Sequence, residues 1–164
     1  MGATVEMASS CGARSSALAY DNPAVIHKFL ESHDVSWEEA AELFDEMKKW
    51  LWLCAISPQD IRLEVHGSLW IMDEMWHTFI LFTREYADFC QRHFGKFIHH
   101  APTKWDIKEA RREASERDPQ SQRAKAEDSM RRQIEYICEH LGAATAEKWY
   151  GTWVDKYGMT ADTD

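Results

Sequence analysis

Asp73 and His77 stand four residues apart in a stretch of helical periodicity, and two more imidazoles, His99 and His100, follow in the segment Phe97-Ile98-His99-His100-Ala101-Pro102. On a helix, residues i and i+4 lie one above the other on a shared face. Imidazole nitrogen is a neutral donor to first-row metals, and a carboxylate offsets part of the cation's charge. Two histidines with one aspartate therefore compose a donor set for non-haem iron or copper, or for zinc with an open position. The set closes only if the segment after the helix folds back over its polar face. Adjacent residues of an extended chain point to opposite sides, so one of His99 and His100 is expected to join His77. Asp73 then either ligates directly or accepts a hydrogen bond from a ligating imidazole. Asp73, His77 and Tyr86 are the catalytic candidates, with Trp76 and Tyr86 flanking the site. The plain alternative is a surface Asp–His pair worth a few tenths of a kcal/mol, roughly 0.3.

The element that must carry this face is a long helix, expected from Ser68 to about His93 and closed by Gly95. Met72, Met75, Phe79, Phe82, Tyr86, Phe89 and Cys90 fall within one sector of roughly 100° and form its core-facing stripe. Asp73, His77, Arg84, Asp88 and Gln91 lie opposite. Upstream, Asp21 or Asn22 caps a short helix with Pro23 in its first turn. Ser36-Trp37-Glu38-Glu39 is a capping box opening a second helix, whose inward residues run from Ala40 through Leu43, Phe44, Met47, Trp50 and Leu51 to Cys54. Ser57-Pro58 stops that helix, and residues 59–67 read as a loop. The segment Phe97–Pro102 runs extended, because the residue before proline is biased away from helix. Residues 104–133 are mostly charge and alanine and read as a mobile, exposed excursion, interrupted at Asp118-Pro119. Helical periodicity resumes at Met130, stops at Gly142, and Thr145 caps a last short helix holding Trp149 and Trp153.

A chain of 164 residues with 45% apolar content suits one domain with a sizeable core. The expected architecture is mainly α, a compact bundle of about five to six helices with the extended segment laid against it. Residues 1–20 are the expected flexible leader, and residues 21–164 the single helical domain. A formal charge of -9 argues against nucleic acid, whose phosphates require a basic surface. No stretch of 18 apolar residues occurs, so no membrane partner is expected. Four cysteines without a CxxC pair exclude a zinc ribbon or a thioredoxin-type centre, and cytoplasm with reduced thiols is the expected compartment. A thiol site at Cys90 or Cys138 lacks a visible basic neighbourhood. Glu74 and His77 form Glu-x-x-His, but a carboxylate-bridged di-iron bundle needs a second copy, which is absent. GxSxG, P-loop, GxGxxG and HExxH are absent as well.

The run Asp73-Glu74-Met75-Trp76-His77-Thr78-Phe79, with Tyr86, Phe89-Cys90, Phe94-Gly95 and His99-His100-Ala101-Pro102, resembles the signature of small bacterial proteins related to the glycine-rich-domain-containing protein family. The resemblance implies a mainly helical domain and a site location without naming a reaction. This chain has Phe79 where larger members of that family often carry a second histidine. The resulting expectation is a metal-binding helical protein, a mononuclear iron, copper or zinc enzyme of redox or hydrolytic type acting on a small molecule or peptide. The alternative is a non-catalytic interaction module with a protein partner, for which eight tryptophans and the charged 104–133 arm would supply the contact surface.

Overall fold

The computed structural model describes residues 12, 14–58 and 61–158, and they are mainly helical with no strand among them. Eight α-helices lie between Pro23 and Tyr157, where the sequence reading expects five to six: α1 Pro23–Leu30, α2 Trp37–Ile56, α3 Trp70–Leu81, α4 Thr83–Phe94, α5 Trp105–Arg117, α6 Pro119–Leu141, α7 Ala143–Glu147 and α8 Trp153–Tyr157. A 3₁₀ turn, Gly67–Leu69, leads into α3, and a π-helical turn, Lys148–Thr152, separates α7 from α8. No helix of the described residues is long and apolar enough to cross a membrane.

The capping residues act as their chemistry requires. Asn22 Oδ1 accepts from Val25 N–H at 3.4 Å, and Ser36 Oγ accepts from Glu39 N–H at 3.1 Å. Each satisfies a backbone donor that the first helical turn leaves unpaired. Inward residues of α2, among them Leu43, Phe44, Met47, Trp50 and Leu51, are buried, and Cys54 is half-buried. The expected single helix from Ser68 to His93 is instead two. Phe82, at φ -84° and ψ 64°, leaves the helical region and its N–H bonds to Phe79 O at 3.0 Å, ending α3 before α4 begins. Apolar spacing does not reveal the break, because Phe79, Phe82 and Tyr86 keep the 3–4 rhythm across it. Both halves bury their stripe residues, with Met72, Met75, Phe79, Tyr86, Phe89 and Cys90 all inside.

Three further corrections concern the periphery. Residues 14–18 are helical and do not behave as a leader: Ala17 is fully buried, and the Tyr20 ring packs on Phe79 and Phe89 at centroid distances of 5.9 and 4.9 Å. The buried Lys48 ammonium holds this segment by donating to Leu18 O at 2.8 Å and Tyr20 O at 2.5 Å, beside the Asp45 carboxylate at 2.8 Å. Expectations for residues 1–11, 13, 59, 60 and 159–164 lie outside the described residues. The charged stretch is two helices: α5 buries no residue, and α6 begins at Pro119, where Asp118 Oδ1 accepts from Ser121 N–H at 3.0 Å. Gly142, at φ +88°, ends α6 as expected and is also the N-cap of α7, the position expected of Thr145, whose hydroxyl donates back to Leu141 O.

Two buried polar side chains tie distant segments of the chain together. Glu46, 3% exposed, accepts from Lys49 at 2.8 Å, Lys148 at 2.6 Å and Trp149 Nε1 at 2.9 Å, tying the C-terminal turns to α2. Burial works to raise its pKa, but hydrogen bonds from Lys148 and Lys49 carry it below the usual carboxylate range. Gln133, 2% exposed, imitates a strand neighbour for the 61–66 loop. Its Oε1 accepts from Glu64 N–H at 2.7 Å, and its Nε2 donates to Glu64 O at 2.9 Å. That loop forms one wall of the groove described next.

Candidate metal centre

Gly95, in the left-handed region at φ +68°, ends α4 and turns the chain back toward α3. Residues 97–104 carry no regular structure, as expected from Pro102. Their side chains alternate: Phe97 exposed, Ile98 buried, His99 exposed, His100 half-buried. The register is set at Ile98, which is buried while its carbonyl accepts from Tyr86 Oη–H at 2.6 Å. Tyr86 Oη in turn accepts from Trp76 Nε1–H at 3.0 Å. His100 lies over the indole of Trp76, with ring centroids 4.1 Å apart.

This register brings His100 to Asp73 and His77. One ligand atom from each of the three lies within 4.8 Å of the other two. His100 Nε2 is 2.7 Å from His77 Nε2 and 3.6 Å from Asp73 Oδ1, and His77 Nε2 is 3.8 Å from Asp73 Oδ2. Glu74 Oε1 lies 3.3 Å from His77 Nδ1 and accepts its N–H, which leaves the lone pair of His77 on Nε2, facing the cluster. The short nitrogen–nitrogen contact is then an N–H···N bond from His100. Burial holds the His100 imidazole below its ordinary pKa, against the pull of the Asp73 carboxylate and with the repulsion of His77. A neutral imidazole is the form that ligates metal.

The donor set fits a cation. Asp73 Oδ1 is buried and accepts no hydrogen bond among the described residues, a costly arrangement for a carboxylate oxygen unless something else meets it. Burial is the main reason its pKa stands above the usual value, with Glu74 adding to the rise and the two imidazoles opposing it. Two nitrogens on one tetrahedral zinc lie about 3.3 Å apart, so a shift of roughly half an ångström at His77 and His100, with the His100 proton moved from Nε2 to Nδ1, would convert the hydrogen-bonded pair into a ligand pair.

Of the residues expected at the site, Asp73, His77 and His100 come together, whereas His99 and Tyr86 do not join them. His99 faces solvent and packs on Phe97 at 4.9 Å between centroids. Tyr86 is 1% exposed, and burial raises its pKa far above the phenol's usual value, so it is an anchor and not a proton donor to substrate. Phe79 is fully buried in the core. Cys90 is raised by burial, and Cys54 is pushed up to about 12 for the same reason, so neither is a reactive thiolate. Glu74 was legible as an i, i+3 partner of His77. Trp76, named from the sequence as a flanking residue, lies beneath His100, whereas Gln133 behind the loop depends on long-range packing and has no local signal.

Replacing Tyr86 with Phe leaves Ile98 O and Trp76 Nε1 without their partner, which costs about 1–3 kcal/mol in thermal melts. Because the hydroxyl sets the register of His100, metal affinity is expected to fall about tenfold with the fold retained at 25 °C. Unchanged affinity in a chelator competition would show that the hydroxyl does not position His100.

The cluster opens onto a groove of about 1010 Å³ bounded by the 61–66 loop, the 96–103 segment and α5. No curated protein and no solved structure matches the chain. The UCP032817-like family matches residues 18–147, which include all three clustered side chains and the segments that carry them, and the chain belongs to this family.

Proposed function

We propose that the protein binds a single first-row metal ion, iron, copper or zinc, through Asp73, His77 and His100, and acts as a mononuclear metal enzyme on a small molecule entering the adjoining groove. The observation that carries this reading is the convergence of three ligand atoms from α3 and the 97–104 segment around a buried carboxylate oxygen that accepts no hydrogen bond among the described residues. When bound, such an ion supplies Lewis acidity or redox capacity. The chain's own contributions are distinct. Glu74 keeps the proton of His77 on Nδ1. Trp76 supports the ring of His100, and Tyr86 holds the carbonyl of Ile98. Three protein ligands leave coordination positions for a substrate or water, the arrangement of a reactive site and not of a closed structural one.

A second reading, a non-catalytic interaction module, draws on α5, which buries no residue and leaves Trp105 76% exposed. Elemental analysis of the full chain after equilibration with Fe(II), Cu(II) or Zn(II), in separate samples followed by desalting, tests the metal reading. One equivalent of at least one ion per chain, with a raised melting temperature, is expected. No retained metal in any of the samples would remove the reading and leave the module.

A further inference from the structure

We infer that the groove beside the Asp73, His77 and His100 cluster takes a small molecule bearing an oxyanion headgroup, a carboxylate or a phosphate. The inference names the substrate class of the proposed metal site and rests on that reading for the position of the reacting end. The chain as a whole carries a formal charge of -9, yet the groove is lined by Arg62, Lys96, Lys108 and Arg111 against only Glu64 and Asp73 among acidic side chains. Cationic side chains gathered in a concave surface of an acidic protein concentrate anions there, because low-dielectric walls focus the field.

The wall is built rather than incidental. Glu64 collects Arg62 Nε at 2.5 Å, Arg111 Nη2 at 3.0 Å and His66 Nε2 at 3.1 Å, holding both guanidinium groups beside the groove. Each of these arginines commits one nitrogen to Glu64, and its other N–H groups remain for the paired oxygens of a carboxylate or phosphate. The backbone of Glu64 is fixed from behind by the buried Gln133 side chain through both its N–H and its C=O. Lys96 and Lys108 line the same groove and make no ion pair among the described residues. One carboxylate cannot neutralise this set, and a cation held by Asp73 would cancel the other acidic group. An anionic ligand supplies the missing charge.

Calorimetric titration of the full chain, metal-free and zinc-loaded, with sodium phosphate and separately with succinate tests the inference. Binding of at least one anion is expected, tighter in the zinc-loaded protein. A Lys96→Ala, Lys108→Ala double variant should weaken it at least tenfold, the loss of at least one of two charge-assisted contacts. Both lysines are exposed, and circular dichroism of the variant checks that the fold is kept. Binding of phosphate alone assigns a phosphoryl ligand, and binding of succinate alone a carboxylate ligand. The inference is overturned if neither anion binds zinc-loaded protein at millimolar concentration, or if the double variant binds as tightly as the natural chain. Zinc content measured on the same samples separates the two readings. Zinc uptake without anion binding defeats only the groove, whereas lysine-dependent anion binding without zinc uptake defeats only the metal site.

Discussion

Changing His100 to Ala is expected to abolish metal binding, whereas changing the adjacent His99 to Ala is expected to leave it intact. The two imidazoles differ by one position in the sequence but stand on opposite sides of a chain whose register is set by the burial of Ile98 and by the Tyr86 hydroxyl on its carbonyl. His100 Nε2 lies 2.7 Å from His77 Nε2, whereas the ring of His99 packs on Phe97. Outer partners that merely orient a ligand typically change metal affinity 10- to 100-fold, so loss of a donor from a set of three should exceed about a hundredfold. Competition with a chromophoric chelator measures this directly, and His77→Ala should match His100→Ala. Removing His100 also exposes the indole face of Trp76, which costs some stability, so melts without metal belong beside the affinities. The reading does not survive if His99→Ala and His100→Ala lose metal equally, or if neither does.

That contrast also marks how far the residues could be read before folding. Alternation in an extended segment limits the ligand to one of two neighbours, and the helical i, i+4 offset pairs Asp73 with His77; both are short-range geometric facts. The capping role of Ser36 and the helix stop at Gly95 are local in the same sense, since each satisfies backbone groups within one turn of itself. Which neighbour faces inward is a different kind of question. It depends on a tyrosine twelve positions upstream donating to Ile98 O, and no periodicity encodes that bond. Tyr86 could be placed in the apolar stripe from spacing alone, yet its phenol also suggested chemistry; burial decides for the anchor. The break at Phe82 stayed hidden because neither glycine nor proline marks it. The integration of Tyr20 and Ala17 stayed hidden for a compositional reason: a Ser- and Ala-rich segment resembles a solvated tail until Lys48, thirty residues away, caps its carbonyls. The groove's basic wall is likewise assembled from Arg62, Lys96 and Arg111, whose proximity arises only when α5 lies across the 61–66 loop.

Asp73→Asn is expected to make the metal-free protein more stable while removing metal binding, a pairing that a purely structural aspartate would not produce. The Asp73 side chain is 20% exposed, and its Oδ1 is buried with no hydrogen-bond donor among the described residues. Burial, aided by Glu74 and opposed by His100 and His77, raises its pKa above 3.8. The folded chain therefore holds this proton at pH values where the unfolded chain has released it, and stability from this group declines as pH rises through the interval above 3.8. Asparagine has nearly the same shape and carries no charge, so it lacks that decline. Replacing an unpaired buried charge by a neutral isostere is worth about 1 kcal/mol here, or roughly 2–4 °C in melting temperature for a chain of this size. The difference should shrink as pH falls and the Asp73 carboxyl takes up its proton, and be largest at neutral pH. Metal affinity moves the other way, because an amide oxygen neither offsets the cation's charge nor donates as strongly as a carboxylate, and a loss above about a hundredfold is expected. Melts of both proteins from pH 4 to 8, with and without zinc, read the two effects separately. A variant that melts lower than the natural chain at pH 7 without metal would mean that Asp73 supports the fold through His77 and His100, and the carboxylate would lose its place as a ligand kept at a cost to stability.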